Sequence, residues 1–322
     1  MKQSILNILK LVLAFGLIYF LINKGYLDLS LLDKLNIYSI AGVLLLSLMG
    51  LVVNNFRWTL LLKSQGLIYS FTSTLKLSFI GIFFNFALPS SIGGDVVKAY
   101  YLVKSSSQQK SKAVMSVVVD RFLGLISMLL LAVVSMLMNF ELIKSNLELY
   151  SIFISMLGIL FGALLFLIIA FSNKIHNIPW VQYLLNKLPT FIKEPYLALC
   201  SYGKSLKQVI MAILLSFISQ LCIIMVFKIV GDAMGAGLSL YPYLFAVPIG
   251  LMIMSLPIAP AGIGVGQMAF LYLFKVYTGE AVDVGTLGVT VFQMSLLVYG
   301  FVGCYFYVKN KAAINQVVTD VR

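Results

Sequence analysis

Charge is what this sequence is short of. Only 11% of its 322 residues are Asp, Glu, Lys or Arg, against about 25% in ordinary soluble domains. So few charges cannot cover a water-facing surface, which excludes a soluble globular domain and leaves no room for a separate soluble catalytic one. Histidine occurs once, as His176 in a loop, and carries no expected role. The three cysteines, Cys200, Cys222 and Cys304, lie far apart in or beside apolar segments. They offer neither a disulfide framework nor metal-ligand spacing and read as small buried hydrophobes. Also missing are a Ser/His/Asp set and a nucleotide loop. The Gly-x-Gly-x-Gly run at 262–266 follows no strand, so it is not a dinucleotide fingerprint. No cofactor, no metal and no enzymatic activity are expected.

What is present is apolar: 61% of the chain is hydrophobic. The expected fold is all-α, a polytopic membrane protein with six full spans and two broken, re-entrant helical hairpins in an inverted repeat. Spans are expected at about 5–23, 38–54, 113–138, 149–171, 208–230 and 286–308, and hairpins at about 75–104 and 243–277. Lys2 before an apolar run resembles a signal peptide. Asn23-Lys24-Gly25-Tyr26 follows in place of a small-residue cleavage site, so this run is read as the first span. The net charge of +12 does not imply nucleic acid, because the basic residues sit in short loops beside spans, where topology and anionic lipid account for them.

With the N-terminus in the cytoplasm, eighteen of the 23 Lys and Arg fall inside, and seven of the 11 Asp and Glu outside. That is a strong positive-inside pattern. It predicts a multi-pass protein of the cell membrane with both termini cytoplasmic. The two halves, about 1–139 and 149–308, then read span, span, hairpin, span from opposite faces within a single transmembrane domain, 1–322. Inverted repeats of this kind underlie alternating access in many transporters. The segment 172–207 mixes lysines with aromatics and reads as a cytoplasmic interfacial helix.

The hairpins carry the candidate chemistry. In Asn85-Phe86-Ala87-Leu88-Pro89-Ser90-Ser91-Ile92-Gly93-Gly94-Asp95-Val96-Val97-Lys98, Pro89 ends an incoming half-helix and the glycines permit a sharp turn. The apolar run before it, Leu75 to Leu88, is shorter than the roughly 20 residues of a straight crossing. Broken backbone at membrane depth is tolerated only when buried in protein or lining a watery cavity. The outgoing half-helix, beginning near Asp95, would offer free N–H groups and a favourable dipole to an anion. Ser90 and Ser91 add hydroxyls, and Lys98 lies a turn further on. Pro257-Ile258-Ala259-Pro260-Ala261-Gly262-Ile263-Gly264-Val265-Gly266-Gln267 has the same grammar, with Gln267 the polar side chain at the break. Tight helix packing by small residues is the competing account of these glycines. Asp120 and Arg121 sit about two turns into a span, where ionisable residues normally face the interior and find partners. Arg121 is expected to pair with Asp95 or Asp120, or to hold a phosphate. Arg57, beside Asn54, Asn55 and Trp58, reads as a boundary anchor, and Lys228 as a snorkelling lysine.

At these residues the chain resembles the flippase-like transmembrane family named for the membrane region of lysylphosphatidylglycerol synthase. The matching features are Asn85 with Leu88-Pro89, Gly93-Gly94-Asp95, the basic Lys98 with Leu102, Asp120-Arg121, and the run from Pro257 to Gly264. Two departures stand out. The family pattern implies Arg at position 98 and a carboxylate at position 267, and this chain has Lys98 and Gln267. Lysine lacks the bidentate fork of arginine, and glutamine lacks a protonation site. The aminoacyl-transferase domain fused to some relatives is absent from this sequence.

The resemblance implies translocation of a phosphate-bearing lipid such as a phospholipid, an aminoacylated phospholipid or a polyprenyl-phosphate carrier. The expected partner is thus a membrane lipid with an anionic head group. The expected substrate-binding residues are Asn85, Ser90, Ser91, Gly93, Gly94, Asp95, Lys98, Arg121, Gly262, Gly264 and Gln267. Asp95 and Asp120 are the candidate coupling groups. Two alternatives stand beside this reading: a small-solute or ion transporter with the same repeat, and a lipid-modifying membrane enzyme using Asp95 with Ser90 or Ser91.

Overall fold

The computed structural model describes residues 35–88, 91–105, 109–172, 189–279 and 283–309, with a few isolated positions in 19–33 and 178–187. The expected first span, 5–23, therefore lies almost wholly outside the described residues. Among the described residues all regular structure is helical. In chain order the elements are α1 (Ile37–Ser64), α2 (Phe71–Ala87), α3 (Gly93–Ser105), α4 (Lys110–Met138), the short α5 (Phe140–Ser145) and α6 (Leu147–Phe171). Then follow α7 (Thr190–Ser201), α8 (Leu206–Ala233), α9 (Tyr241–Met254), α10 (Val265–Thr278) and α11 (Val284–Lys309). Among the described residues, five helices are long and apolar enough to cross a membrane: α1, α4, α6, α11 and the stretch Thr190–Ala233, which joins α7 to α8 through a 3-10 turn.

Local chemistry sets the boundaries. Asn36 and Ser70 cap α1 and α2, their side chains accepting from the amides of Ser39 and Ser73, as short polar residues at helix starts do. Helix α2 stops where Leu88 turns extended, at φ −97° and ψ 145°. The next residue in the sequence is Pro89, and a residue before proline is pushed out of the helical region. The second break repeats the device: Ala259, before Pro260, is extended at φ −137° and ψ 156°. Each interrupted segment is thus a pair of helices, α2 with α3 and α9 with α10, packed arm against arm.

The arms are packed into the bundle reciprocally. The incoming arm α2 lies along α11, and the incoming arm α9 lies along α4. Helix α1 runs along α8 in the most extensive helix pairing. Aromatic rings fill the centre of the second hairpin; Tyr243, Phe245, Phe270 and Phe274 are fully buried. One boundary differs from expectation. Helix α1 continues ten residues beyond 54, to Ser64, so Asn54, Asn55, Arg57 and Trp58 belong to the helix and not to its edge. The described part of 172–207 is chiefly α7, which packs on α4 and α6.

Candidate functional site

The tip of the first hairpin is closed by its own side chains. Asn85, in the last turn of α2, accepts the Gly94 amide with Oδ1 at 2.7 Å. The Asp95 amide donates to the Ile92 carbonyl at 3.0 Å. The amides expected to face an anion are thus used within the hairpin, since a carboxamide from the facing arm does the work of an N-cap. Neither Gly93 nor Gly94 has positive φ, so they do not make the sharp turn expected of them. They permit contact: a Cβ on Gly94 would lie 2.2 Å from the Gly81 carbonyl oxygen and 2.8 Å from Asn85 Oδ1. Pro89 and Ser90 lie outside the described residues. The Ser91 hydroxyl points across to the second hairpin, within 2.9 Å of the Ser255 carbonyl oxygen and 2.7 Å of that of Leu256.

Arg121 completes this junction. One guanidinium nitrogen donates to Asp95 Oδ2 at 2.5 Å and another to the Ser255 carbonyl at 2.6 Å. A single side chain therefore ties α3, α4 and the second hairpin together, with Asp95 the partner. The pair is partly accessible, its side chains 28% and 26% exposed. It lies at a groove of about 340 Å³ between α3 and α4, otherwise lined by apolar residues including Ile92, Val96, Val118, Phe122 and Leu125.

Asp120, one residue earlier, takes a different partner. Arg57 grips it with two bonds, Nε to Oδ1 at 2.7 Å and Nη2 to Oδ2 at 2.9 Å, and donates a third to Ser216 Oγ at 2.7 Å. The Arg57 side chain is 7% exposed. This corrects its assignment as a boundary anchor: α1 carries it into the bundle, where a buried guanidinium needs a carboxylate. Lys228 is likewise paired, with Asp232 one turn on.

In the second hairpin, Gly262 and Gly264 do take positive φ, +69° and +79°, with Ala261 at +47° between the prolyl turn and α10. Gln267 is 1% exposed. Its Oε1 accepts the Gly264 amide at 2.8 Å, and its Nε2 donates to Thr290 Oγ1 at 3.1 Å and Gln293 Oε1 at 2.8 Å. Gln293 then donates to the Ala261 carbonyl at 3.1 Å. Gln267 is therefore committed to holding the break. The two tips share a spacing: Asp95 meets Arg121 and Gln267 meets Gln293, each 26 residues on.

Lys98 stands away from both tips. Its ammonium lies 5.0 Å from the centre of the Trp58 ring, in a chamber of about 220 Å³ also lined by Ser47, Asn54, Ser78 and Asp120. Asn54 Oδ1 and Trp58 Nε1 are buried with no hydrogen-bond partner. Asn54, Arg57, Trp58 and Gln293 were not among the expected site residues. The signal for the first three was present in the apolar residues after 54, Phe56, Trp58 and Leu60 to Leu62, which extend the span past Arg57.

A family model described as lysylphosphatidylglycerol synthase TM region matches residues 7–303. The chain belongs to that family. No curated protein and no solved structure matches it. Both hairpins, the Arg57–Asp120 and Arg121–Asp95 pairs and the chamber beside Lys98 lie within the residues matched to the lysylphosphatidylglycerol synthase TM region family.

Proposed function

We propose that this protein carries a phosphate-bearing polar lipid across the cell membrane by alternating access. The observation that carries the reading is the Asp95–Arg121 pair at the polar end of an apolar groove. An amphipathic cargo fits such a place: acyl or polyprenyl chains lie along the valines and Phe122, and the head-group phosphate meets the guanidinium. Arginine suits this role because its planar fork accepts two phosphate oxygens at once. A small solute has no use for the apolar walls, so the groove favours a lipid. The family's description, which names a lipid synthase, agrees with a lipid substrate.

The two halves of the chain, about 1–139 and 149–308, are read as inverted repeats. The equal 26-residue spacing of the two clamps supports this, as does the reciprocal packing of α2 on α11 and α9 on α4. The tips are joined through Ser91, Arg121 and Ser255. An arriving phosphate competes with Asp95 and the Ser255 carbonyl for Arg121 and so loosens the junction from which one hairpin swings. Transport is preferred to catalysis because Ser91 is bonded to backbone carbonyls and Asp95 to Arg121, which leaves no nucleophile–base pair among the described residues of the tip. Each negative charge moved outward across about 100 mV, inside negative, gains about 2.3 kcal/mol, so outward movement of an anionic head group needs no coupled ion. The excess of Lys and Arg in the loops of one side supports a reading with both termini in the cytoplasm.

Reconstitution tests this. In proteoliposomes carrying fluorescent phosphatidylglycerol, Arg121→Ala and Asp95→Asn are expected to slow head-group translocation more than tenfold while helical content by circular dichroism is unchanged. Wild-type rates in both folded variants would overturn the assignment.

A further inference from the structure

One end of the bundle collects positive charge. Side-chain contacts gather the chain there from four places. Ser111 Oγ donates to Glu194 Oε2 at 2.8 Å and joins the start of α4 to α7. Ser201 Oγ donates to Gln65 Oε1 at 2.5 Å, and Lys112 Nζ to the Gln65 carbonyl at 3.4 Å, which brings in the residue after α1. The Tyr69 and Ser105 hydroxyls share a hydrogen bond of 2.7 Å, which adds the end of α3. The sequence through these points, 63–69, 101–112 and 189–207, contains seven lysines and a single carboxylate, Glu194. Lys63, Lys104, Lys110, Lys204 and Lys207 are exposed. None of the five lies in an ion pair among the described residues. Large apolar side chains stand exposed beside them: Phe191, at 76%, with Ile192 and Leu197 on α7, and Leu206 at the start of α8. Between α7 and the start of α4 the surface is indented by a notch of about 230 Å³. Gln109, Ser111 and Lys112 form one wall, and Glu194, Leu197 and Ala198 the other.

We propose that this end of the protein is a docking surface for anionic lipids, and that docked lipid holds α7 against α4. Unbalanced lysines on the two sides of the notch repel one another. Lipid phosphates set among them turn that repulsion into attraction, and Phe191, Ile192 and Leu197 enter the acyl boundary below the head groups. Lysines mixed with exposed aromatic and aliphatic side chains are the composition of a surface that lies in the membrane interface. Helix α7 also runs on through a 3-10 turn into α8 as one stretch, Thr190–Ala233, long and apolar enough to cross a membrane. The surface therefore lies where the chain enters the bilayer, which favours a leaflet over an acidic protein. Zwitterionic lipid has no net charge to offer the lysines. These lipids are bound and not carried: neither Asp95 nor Arg121 belongs to the surface, and the inference does not depend on the transport reading.

Amide hydrogen exchange over 190–205 tests this. The full-length protein is compared in nanodiscs of phosphatidylcholine alone and of phosphatidylcholine mixed with phosphatidylglycerol. Exchange is expected to fall several-fold with phosphatidylglycerol, and high salt is expected to shrink the difference, because exposed charges are screened. Lys104→Gln, Lys110→Gln, Lys204→Gln and Lys207→Gln combined are expected to abolish the difference between the discs. The same four positions changed to Arg keep it, which separates lost charge from misfolding. Arg121→Ala also keeps it, so failure of docking and failure of transport are read apart. Equal exchange in the two discs, or a combined Gln variant that still responds to phosphatidylglycerol, overturns the proposal. An equal response to soluble polyglutamate in phosphatidylcholine discs also overturns it and assigns the lysines to an acidic protein.

Discussion

Arg57 and Asp120, on α1 and α4, meet in a two-point ion pair with contacts of 2.7 and 2.9 Å inside the bundle. Removing one member leaves the other charge buried, which costs about 3–5 kcal/mol. Asp120→Asn is expected to lower the melting temperature in detergent sharply. Arg57→Met combined with Asp120→Leu is expected to recover much of that loss, because no orphan charge remains. A melting temperature for Asp120→Asn equal to wild type would mean that Arg57 is solvated.

The first hairpin depends on backbone contact between its arms. A methyl group at Gly94 meets the Gly81 carbonyl, which belongs to the backbone and cannot rotate away. Gly94→Ala is expected to destabilise by about 1–3 kcal/mol, the usual range for overpacking. Gly158→Ala is the control: nothing lies within 4 Å of its added Cβ in α6, and alanine is about 0.5–1 kcal/mol better than glycine within a helix. Equal effects at the two sites, read by thermal melting, would remove the close-contact argument.

Gln267 is expected to reject a carboxylate. Its Nε2 donates to Gln293 Oε1 and Thr290, and glutamate at neutral pH has no donor to offer. Gln267→Glu sets a carboxylate oxygen against an amide oxygen at a fully buried position, a loss of about 1–3 kcal/mol or more. Loss of yield and a lower melting temperature at neutral pH are the expected readouts. A variant as stable as wild type would show that the Gln293 amide is free to reverse.

The junction between the hairpins rests on Ser91 and Arg121, both of which donate to the Ser255 carbonyl. Ser91→Ala is expected to raise amide hydrogen exchange across 255–263 several-fold, and Arg121→Ala to raise it further. Local opening of this kind reports the free energy that holds a segment closed. Unchanged exchange in both variants would mean that other contacts hold the tips together.

Much of this architecture can be read residue by residue. Scarce charge and long apolar runs determine a polytopic helical membrane protein, because hydrocarbon demands that each backbone group be bonded within its own segment. The breaks at Leu88-Pro89 and Ala259-Pro260 are equally local, since proline displaces the residue before it from the helical region. Asp120 and Arg121 were legible as interior residues, and Asp95 as one of two possible partners for Arg121.

Partner choice was not local, and only the tertiary structure decided it. Asp120 and Arg121 are neighbours in sequence, but adjacent helical side chains point about 100° apart, so one reaches Arg57 and the other Asp95. Which partner waits in each direction depends on helices more than 20 residues away along the chain. The same holds for the glycines: a Gly-Gly pair announces either a turn or a close contact, and the nearness of the Gly81 carbonyl makes it a contact. Sequence by itself determined where the helices stop and that polar groups must face inward. Packing determined which of them meet, because the facing surface of a helix belongs to a distant part of the chain.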